Sequence, residues 1–333
     1  MPETLELTYR EALQMSMLEC MEGDENVLIM GEDIGRYQGT FKVTRDIFTK
    51  YGRKDNQYNL RILDTPITEA GFAGIATGAA MAGLRPIVEF MTMSFSILAL
   101  DQIINHTAKL HYMSNGEVRC PIVLRGPSGA AKQLSAQHSH SMEGWYAHVP
   151  GLKVVAPATV NDVYGMMKTA IADDNPVVFV ENPGLYALKG EFPQDPDYSI
   201  PFGKAAVVRE GKDVTLVAYS RMVHASLAAA EILEKDGISC EVVDVRSLLP
   251  LDTETIYASV AKTHRAVVVY EDWKSGGFGA EIAARIAEDC FDDLDAPVGR
   301  VGGLNVPMPY ARNLELLCIP SENDVVAAVR KLK

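Results

Sequence analysis

Apolar positions along the chain follow two alternating rhythms. Short runs such as "NVLIM", "RPIVEFM", "PIVL", "LKVVA" and "PVVFVE" are apolar at nearly every position and rich in β-branched residues, the mark of strands buried on both faces. Between them lie longer stretches of helical character at Glu69–Ala82, Ser94–Met113 and Thr159–Ala172. Thr8 followed by Glu11 predicts a capping box that opens a further helix to about Glu22. Strands are predicted at Asn26–Asp33, Arg61–Leu63, Arg85–Met91, Pro121–Leu124, Leu152–Ala156 and Pro176–Glu181. Such alternation implies right-handed βαβ crossovers and a parallel sheet.

A proline-rich, aperiodic stretch at 182–202 interrupts this rhythm and predicts an interdomain linker on the surface. Beyond it the alternation restarts. Strands are predicted at Val214–Tyr219, Cys240–Val245, Ala266–Tyr270 and Val298–Val301, with helices at Met222–Lys235, Asp252–Thr263, Gly279–Ala287 and Glu322–Leu332. The fold class is therefore α/β in two domains, a division that 333 residues also favour, because single cores stop growing near ~250–300 residues.

Composition narrows the function classes. Hydrophobic residues make up 47% and charged ones 23%, a globular balance that excludes disorder. The net charge of −13 argues against a nucleic-acid partner, which needs a clustered positive face. Cys20, Cys120, Cys240, Cys290 and Cys318 are far apart and show no zinc spacing. The acidic N-terminus lacks the features of a secretory or transit peptide, which gives a cytoplasmic expectation. Ala70–Leu84, a long weakly polar run, is too short to span a bilayer, so no membrane partner is expected.

Open α/β sheets bind ligands beyond the carboxyl ends of their strands. That rule selects Glu32 and Asp33, Asp64 to Glu69, Arg125 and Asp272. Glu69 stands out because Thr68 predicts an N-cap before it and Gly71, Gly74 and Gly78 follow on one helical stripe. Each of those glycines costs ~1 kcal/mol against alanine, so another backbone or a flat ligand is expected to approach that face closely. The segment "AQHSHSMEGWYAHVPG" places His138, His140 and His148 in a loop. No carboxylate or cysteine pattern completes a metal cage there, so a single histidine acting as proton donor or oxyanion partner is the better reading. Dinucleotide-binding, P-loop and nucleophile-elbow motifs are missing from the sequence.

Taken in order, "GEDIG", "LDTPITEAGFAGIATGAAMAGLRPIVEFM", "ALDQIINHTAKLHYMSNG", "PIVLRGP", "AQHSHS", "VPGLKVVAP" and "AIADDNPVVFVEN" closely resemble the beta subunits of the first component of pyruvate dehydrogenase. The downstream "DVRSLLPLDTETI" and "KTHRAVVVYED" are similar to the transketolase C-terminal domain those subunits carry. The resemblance covers nearly the whole chain. It implies a transketolase-like pyrimidine-binding domain with a parallel sheet at 1–190, a linker at 191–203 and a smaller transketolase C-terminal-type α/β domain at 204–333.

The resemblance also implies chemistry. The family uses thiamine diphosphate to decarboxylate a 2-oxo acid, pyruvate here, and reductively acylate a lipoyl group, working as heterotetramers of two alpha and two beta chains. The alpha subunit holds the diphosphate and its magnesium, so this chain would supply half of an active site. Glu69 matches the family glutamate that hydrogen-bonds the cofactor's pyrimidine ring nitrogen and, through the ring, promotes ionisation of the thiazolium carbon. Phe95 matches the aromatic residue on the pyrimidine face, Ile67 would line the same pocket, and His138 matches the histidine near the substrate and entering lipoyl arm. A potassium site of main-chain carbonyls maps onto Ile122, Ala170, Ile171, Asp173 and Asn175. A dihydrolipoamide acyltransferase core with its lipoyl domain is the implied further partner. Relatives acting on acetoin or branched-chain 2-oxo acids share this chemistry and stand as alternatives, and a non-catalytic scaffold on the acyltransferase core is the rival of another class.

Overall fold

In the computed structural model residues 4–52, 61–130, 132–193, 195 and 197–332 are described. They group into two compact units. The first holds the chain up to Ser128 with Trp145–Val155 and Thr159–Pro201; the second holds Gly129–Gly144, Ala156–Ala158 and the chain from Phe202 onward.

Elements of the first part of the chain, in order, are β1 (Thr4–Thr8), α1 (Tyr9–Gly23), β2 (Val27–Gly31), α2 (Ile47–Tyr51), β3 (Ile62–Asp64), α3 (Glu69–Met81), β4 (Arg85–Glu89), α4 (Leu110–Met113), β5 (Val123–Pro127), α5 (Glu143–Ala147), β6 (Lys153–Val155), α6 (Val160–Ala172), β7 (Val177–Glu181) and β8 (Lys189–Pro193). Within the first unit the strands lie side by side in the order β6-β7-β5-β4-β2-β3, and each neighbouring pair is parallel. Strands β2, β5 and β7 are buried along their whole length, as unbroken apolar runs require of a sheet covered on both faces. The capping box at the start of α1 is present, with Thr8 and Glu11 satisfying each other's backbone amides.

Two predicted features take a different form. The single helix expected over Ser94–Met113 is a 3-10 segment (Met93–Ala99), a π-helical segment (Asp101–Thr107) and the short α4. Apolar spacing alone does not separate these ladders, and the segment packs closely on α3: Thr107 Oγ1 meets Thr77 Oγ1 at 2.7 Å, and Gln102 Oε1 would lie 3.0 Å from a Cβ on Gly74. Part of the stretch expected to be linker is ordered. Strand β8 pairs antiparallel with β1, Tyr198 stacks on Tyr164 with ring centroids 6.1 Å apart, and Ile200 is buried.

The second part of the chain contributes β9 (Ala206–Arg209), β10 (Val214–Ala218), α7 (Met222–Lys235), β11 (Cys240–Asp244), β12 (Ser247–Leu249), α8 (Thr253–Thr263), β13 (Ala266–Trp273), α9 (Phe278–Asp289), β14 (Gly299–Gly303), α10 (Arg312–Cys318) and α11 (Glu322–Arg330). Its sheet runs β14-β13-β10-β11-β9, parallel except for β9 at one edge. Alternate strand residues such as Leu216, Val267 and Val269 pack under α7 and α11. On the opposite face Thr215 Oγ1 hydrogen-bonds Ser259 and Thr263 of α8, each at 2.7 Å. Gly279 opens α9 against Tyr270, where a Cβ would come within 2.0 Å of the ring. Among the described residues no helix is long and apolar enough to cross a membrane.

Candidate active site

The carboxyl ends of β2, β3 and β4 converge on one rim of the first unit. The Thr65 amide donates to Gly31 O at 3.0 Å, joining the chain leaving β3 to the end of β2. Glu69 then begins α3 and is buried, with 5% of its surface exposed. Thr68 occupies the N-cap position but makes no side-chain cap bond. An acid in a first helical turn is favoured by the unpaired amides there, yet a helix-start acid with no other task has no reason to be buried.

Glu32, which follows β2, is buried beside it and its Oε1 has no hydrogen-bond partner. Burial, followed by the negative charges of Glu69 and Asp33, pushes the Glu32 carboxyl up to about 7; the Thr68 amide pulls the other way. A buried acid with one orphaned oxygen, beside another acid, is costly and is the kind of feature that clusters at functional sites. The strand-end rule picks out Glu32 but gives it no role; its burial and its neighbour come only from the fold.

Phe95 lies half-buried in the 3-10 segment, its amide donating to Thr92 O at 3.0 Å. Ile67 is 83% exposed on the turn before α3, a large apolar side chain with no cover in this unit. The exposed side of α3 is thin: Gly71 and Gly78 are exposed, Ile75 is 66% exposed, and a Cβ on Gly78 would meet nothing within 4 Å. Gly71 has a local cause as well, since a Cβ there would fall 2.7 Å from Thr68 Oγ1.

Arg125, expected just beyond a strand ending at Leu124, instead lies in the middle of β5 and proves structural. It is fully buried in β5 between Glu89 and Glu181, donating to both; its Nη2 lies 2.6 Å from Glu181 Oε2, which also accepts from Tyr186 Oη at 2.7 Å.

The five positions of the carbonyl set lie just before β5 and around the C-terminus of α6. Ile122 O accepts from the Val177 amide at 2.9 Å. Arg85 Nη1 donates to Ile171 O at 3.1 Å and to Asp173 O at 3.2 Å. Each carbonyl keeps a second lone pair, and a helix C-terminus favours positive charge, which the Arg85 guanidinium already supplies at two of the five oxygens. The Asp173 carboxyl is held below its usual range: burial opposes this, but Lys153 and the side chain and amide of Asn175 outweigh it.

His138 groups with the second unit. It ends a 3-10 turn, Ala136–His138, and is half-buried. His140 lies edge-on to Trp273 with centroids 6.0 Å apart, and burial, then the nearby His138, lowers its pKa. Asp272 is buried in the same unit, its carboxyl pushed up to about 6 by burial and, less strongly, by Glu271, against the amides of Trp273 and Phe278. A cleft of about 580 Å³ edged by Lys274, Arg300 and Lys331 shares no lining residue with the predicted site positions. Among the described residues no group of three or more His, Cys, Asp or Glu side chains is arranged to hold a metal.

Residues 6–189 match the family model described as the transketolase pyrimidine binding domain, and residues 203–325 match that of the transketolase C-terminal domain. The pyruvate dehydrogenase E1 component subunit beta of Rickettsia felis is 52% identical over 328 residues, covering 98% of this chain and 98% of its own. This chain belongs to the pyruvate dehydrogenase E1 beta-subunit family. The human mitochondrial member is 50% identical over 334 residues, covering 99% of this chain and 91% of its own. Among solved structures, a split-gene transketolase described as an inactive beta4 tetramer matches with a TM-score of 0.76 at 24% identity, covering 98% of each chain. The transketolase-like, two-domain α/β fold expected from the sequence is thus borne out. In this E1 beta-family chain, Glu32, Ile67, Glu69 and Phe95 all fall within the segment matched to the pyrimidine binding domain.

Proposed function

We propose that this chain is the beta half of a thiamine diphosphate-dependent pyruvate dehydrogenase E1 component, active with an alpha subunit in a heterotetramer of two alpha and two beta chains. The observation that carries this reading is a buried glutamate, Glu69, at the carboxyl ends of parallel strands in the pyrimidine-binding segment, with an uncovered Ile67 two residues before it and a half-buried Phe95 in the segment that follows β4. The orphaned Oε1 of the neighbouring Glu32 supports it, because a polar ring entering this rim would bring partners that the chain alone lacks.

When bound, thiamine diphosphate supplies the carbon nucleophile and the electron sink for decarboxylation. Glu69 would hydrogen-bond the pyrimidine ring nitrogen, Phe95 would pack on the flat ring, and Ile67 would close its edge. His138 gives and takes a proton at the substrate and the lipoyl group. The diphosphate and its magnesium are assigned to the alpha subunit. The uncovered stripe of Gly71, Ile75, Gly78 and Met81 is assigned to a subunit contact, where missing side chains let another backbone come close. Exposed Leu304, Val306, Tyr310, Leu314, Leu316 and Leu317 of the second unit offer a further apolar contact surface, for a second subunit or the acyltransferase core. A potassium ion on the carbonyls of Ile122, Ala170, Ile171, Asp173 and Asn175 completes the assignment.

Co-expression with the alpha subunit, followed by turnover of pyruvate, 2-oxoisovalerate and acetoin with a dye acceptor, tests this. Pyruvate is expected to be the preferred substrate and the chain alone to be inactive. Preference for either competitor would reassign the substrate, and an assembled but inert complex would favour a scaffold.

A further inference from the structure

We propose that Glu271 and Glu315 are positioning residues for His138, holding the loop that carries it by accepting hydrogen bonds from two of its backbone amides. The inference rests on the role given to His138 above.

The loop, Gly129–Gly144, is closed at its base by the Gly129 amide, which donates to His140 O at 2.8 Å. Inside it, Gly129 (φ +86°), Lys132 (+50°), Gln133 (+68°) and Ser135 (+66°) all adopt the left-handed side of backbone space, which only the glycine enters without strain. A backbone held in that form persists only when its surroundings over-determine it. Within the loop, Ser135 O accepts from the His138 amide at 3.3 Å and from Ser139 Oγ at 2.7 Å, tying the histidine turn to the strained segment.

The restraint comes from far away in sequence. Glu271 Oε1, near the end of β13, accepts from the Ala130 amide at 2.7 Å, and Glu315 Oε1, on α10, accepts from the Gln133 amide at 2.8 Å. The second Glu271 oxygen faces Arg221 Nε at 3.8 Å. Glu315 is buried, with 4% of its surface exposed. Burying a carboxylate is costly unless it is well paired, and Glu315 is paired with an amide of this loop. Charge-assisted bonds to amides are roughly twice as strong as neutral ones, so the pair fixes the loop's course where neutral acceptors would leave it looser. A displacement of about 1 Å in a reacting group can cost up to ~100-fold in rate. His138 lies three residues from the Ser135 strain point and five from the Gln133 anchor, so slack in the anchor reaches it directly.

The test uses the assembled alpha–beta enzyme and a lipoyl domain as acceptor. Glu315→Ala is expected to lower kcat for lipoyl acylation about tenfold, with KM for the lipoyl domain changed by less than about twofold. Glu315→Gln keeps an acceptor oxygen and should recover most of that loss; Glu271→Gln should show a smaller loss of the same kind. In a His138→Gln background, Glu315→Ala or Glu315→Gln should add almost nothing, because the residue they position is already gone. Losses that multiply in the double variant, or an unchanged kcat in Glu315→Ala while His138→Gln is impaired, would overturn the positioning role. An unimpaired His138→Gln would instead overturn the reading of His138 on which the proposal stands.

Discussion

Replacing Glu32 with glutamine should make the protein more stable, and increasingly so as the pH rises. Glu32 is 7% exposed with an unpartnered Oε1, and burial, then Glu69 and Asp33, raise its carboxyl from 4.5 to about 7. A raised acid is protonated in the folded chain at pH values where the unfolded chain has already ionised. Below about 4.5 both states carry the proton and nothing is lost; between 4.5 and 7 stability falls with rising pH; above 7 the full cost is present. That interval is worth at most about 3 kcal/mol, and water reaching the open rim beside Ile67 should reduce it by roughly half. Urea unfolding of wild type and Glu32→Gln at pH 5 and pH 8 measures the effect. The expected difference is within about 0.5 kcal/mol at pH 5 and about 1–2 kcal/mol in favour of the variant at pH 8. Equal stabilities at both pH values, or a variant less stable at pH 8, would refute the reasoning. Turnover should move the other way, since a destabilising acid kept in place belongs to a site that uses it.

Other substitutions and ions separate the remaining parts of the account. Arg125→Met should cost at least about 3 kcal/mol in urea unfolding, because it leaves Glu89 and Glu181 buried without their shared cation. Gly78→Leu meets open space in the chain, so the isolated chain should keep its melting temperature while association with the alpha subunit, followed by size-exclusion chromatography, is lost. Exchanging sodium for potassium chloride at constant ionic strength should raise the melting temperature, since a bound ion stabilises the folded chain by about 2.7 kcal/mol at a concentration one hundred times its Kd; identical melts would remove the cation from the carbonyl set.

Much of this was legible in the sequence because the information was local. Strands β2, β5 and β7 announce themselves as unbroken apolar runs, α7 has the predicted bounds Met222–Lys235, and the Thr8–Glu11 box is a three-residue signal. Pairing between distant segments was not legible. Strand β8 looks like linker until β1 supplies its partner, and the helix expected over 94–113 looks uniform until the fold divides it. Glu69 was singled out by the glycines behind it, but its burial, the orphaned oxygen of Glu32 and the two distant carboxylates holding the His138 loop follow from tertiary structure alone.

The central claim is that Glu69 acts on a cofactor bound at this rim. Its most direct test is Glu69→Gln in the assembled enzyme, with pyruvate-dependent dye reduction and calorimetric binding of thiamine diphosphate measured on the same preparation. The account predicts a loss of turnover of at least about 100-fold, with the assembly intact and cofactor affinity weakened by no more than about tenfold. Near wild-type turnover by the variant would contradict it.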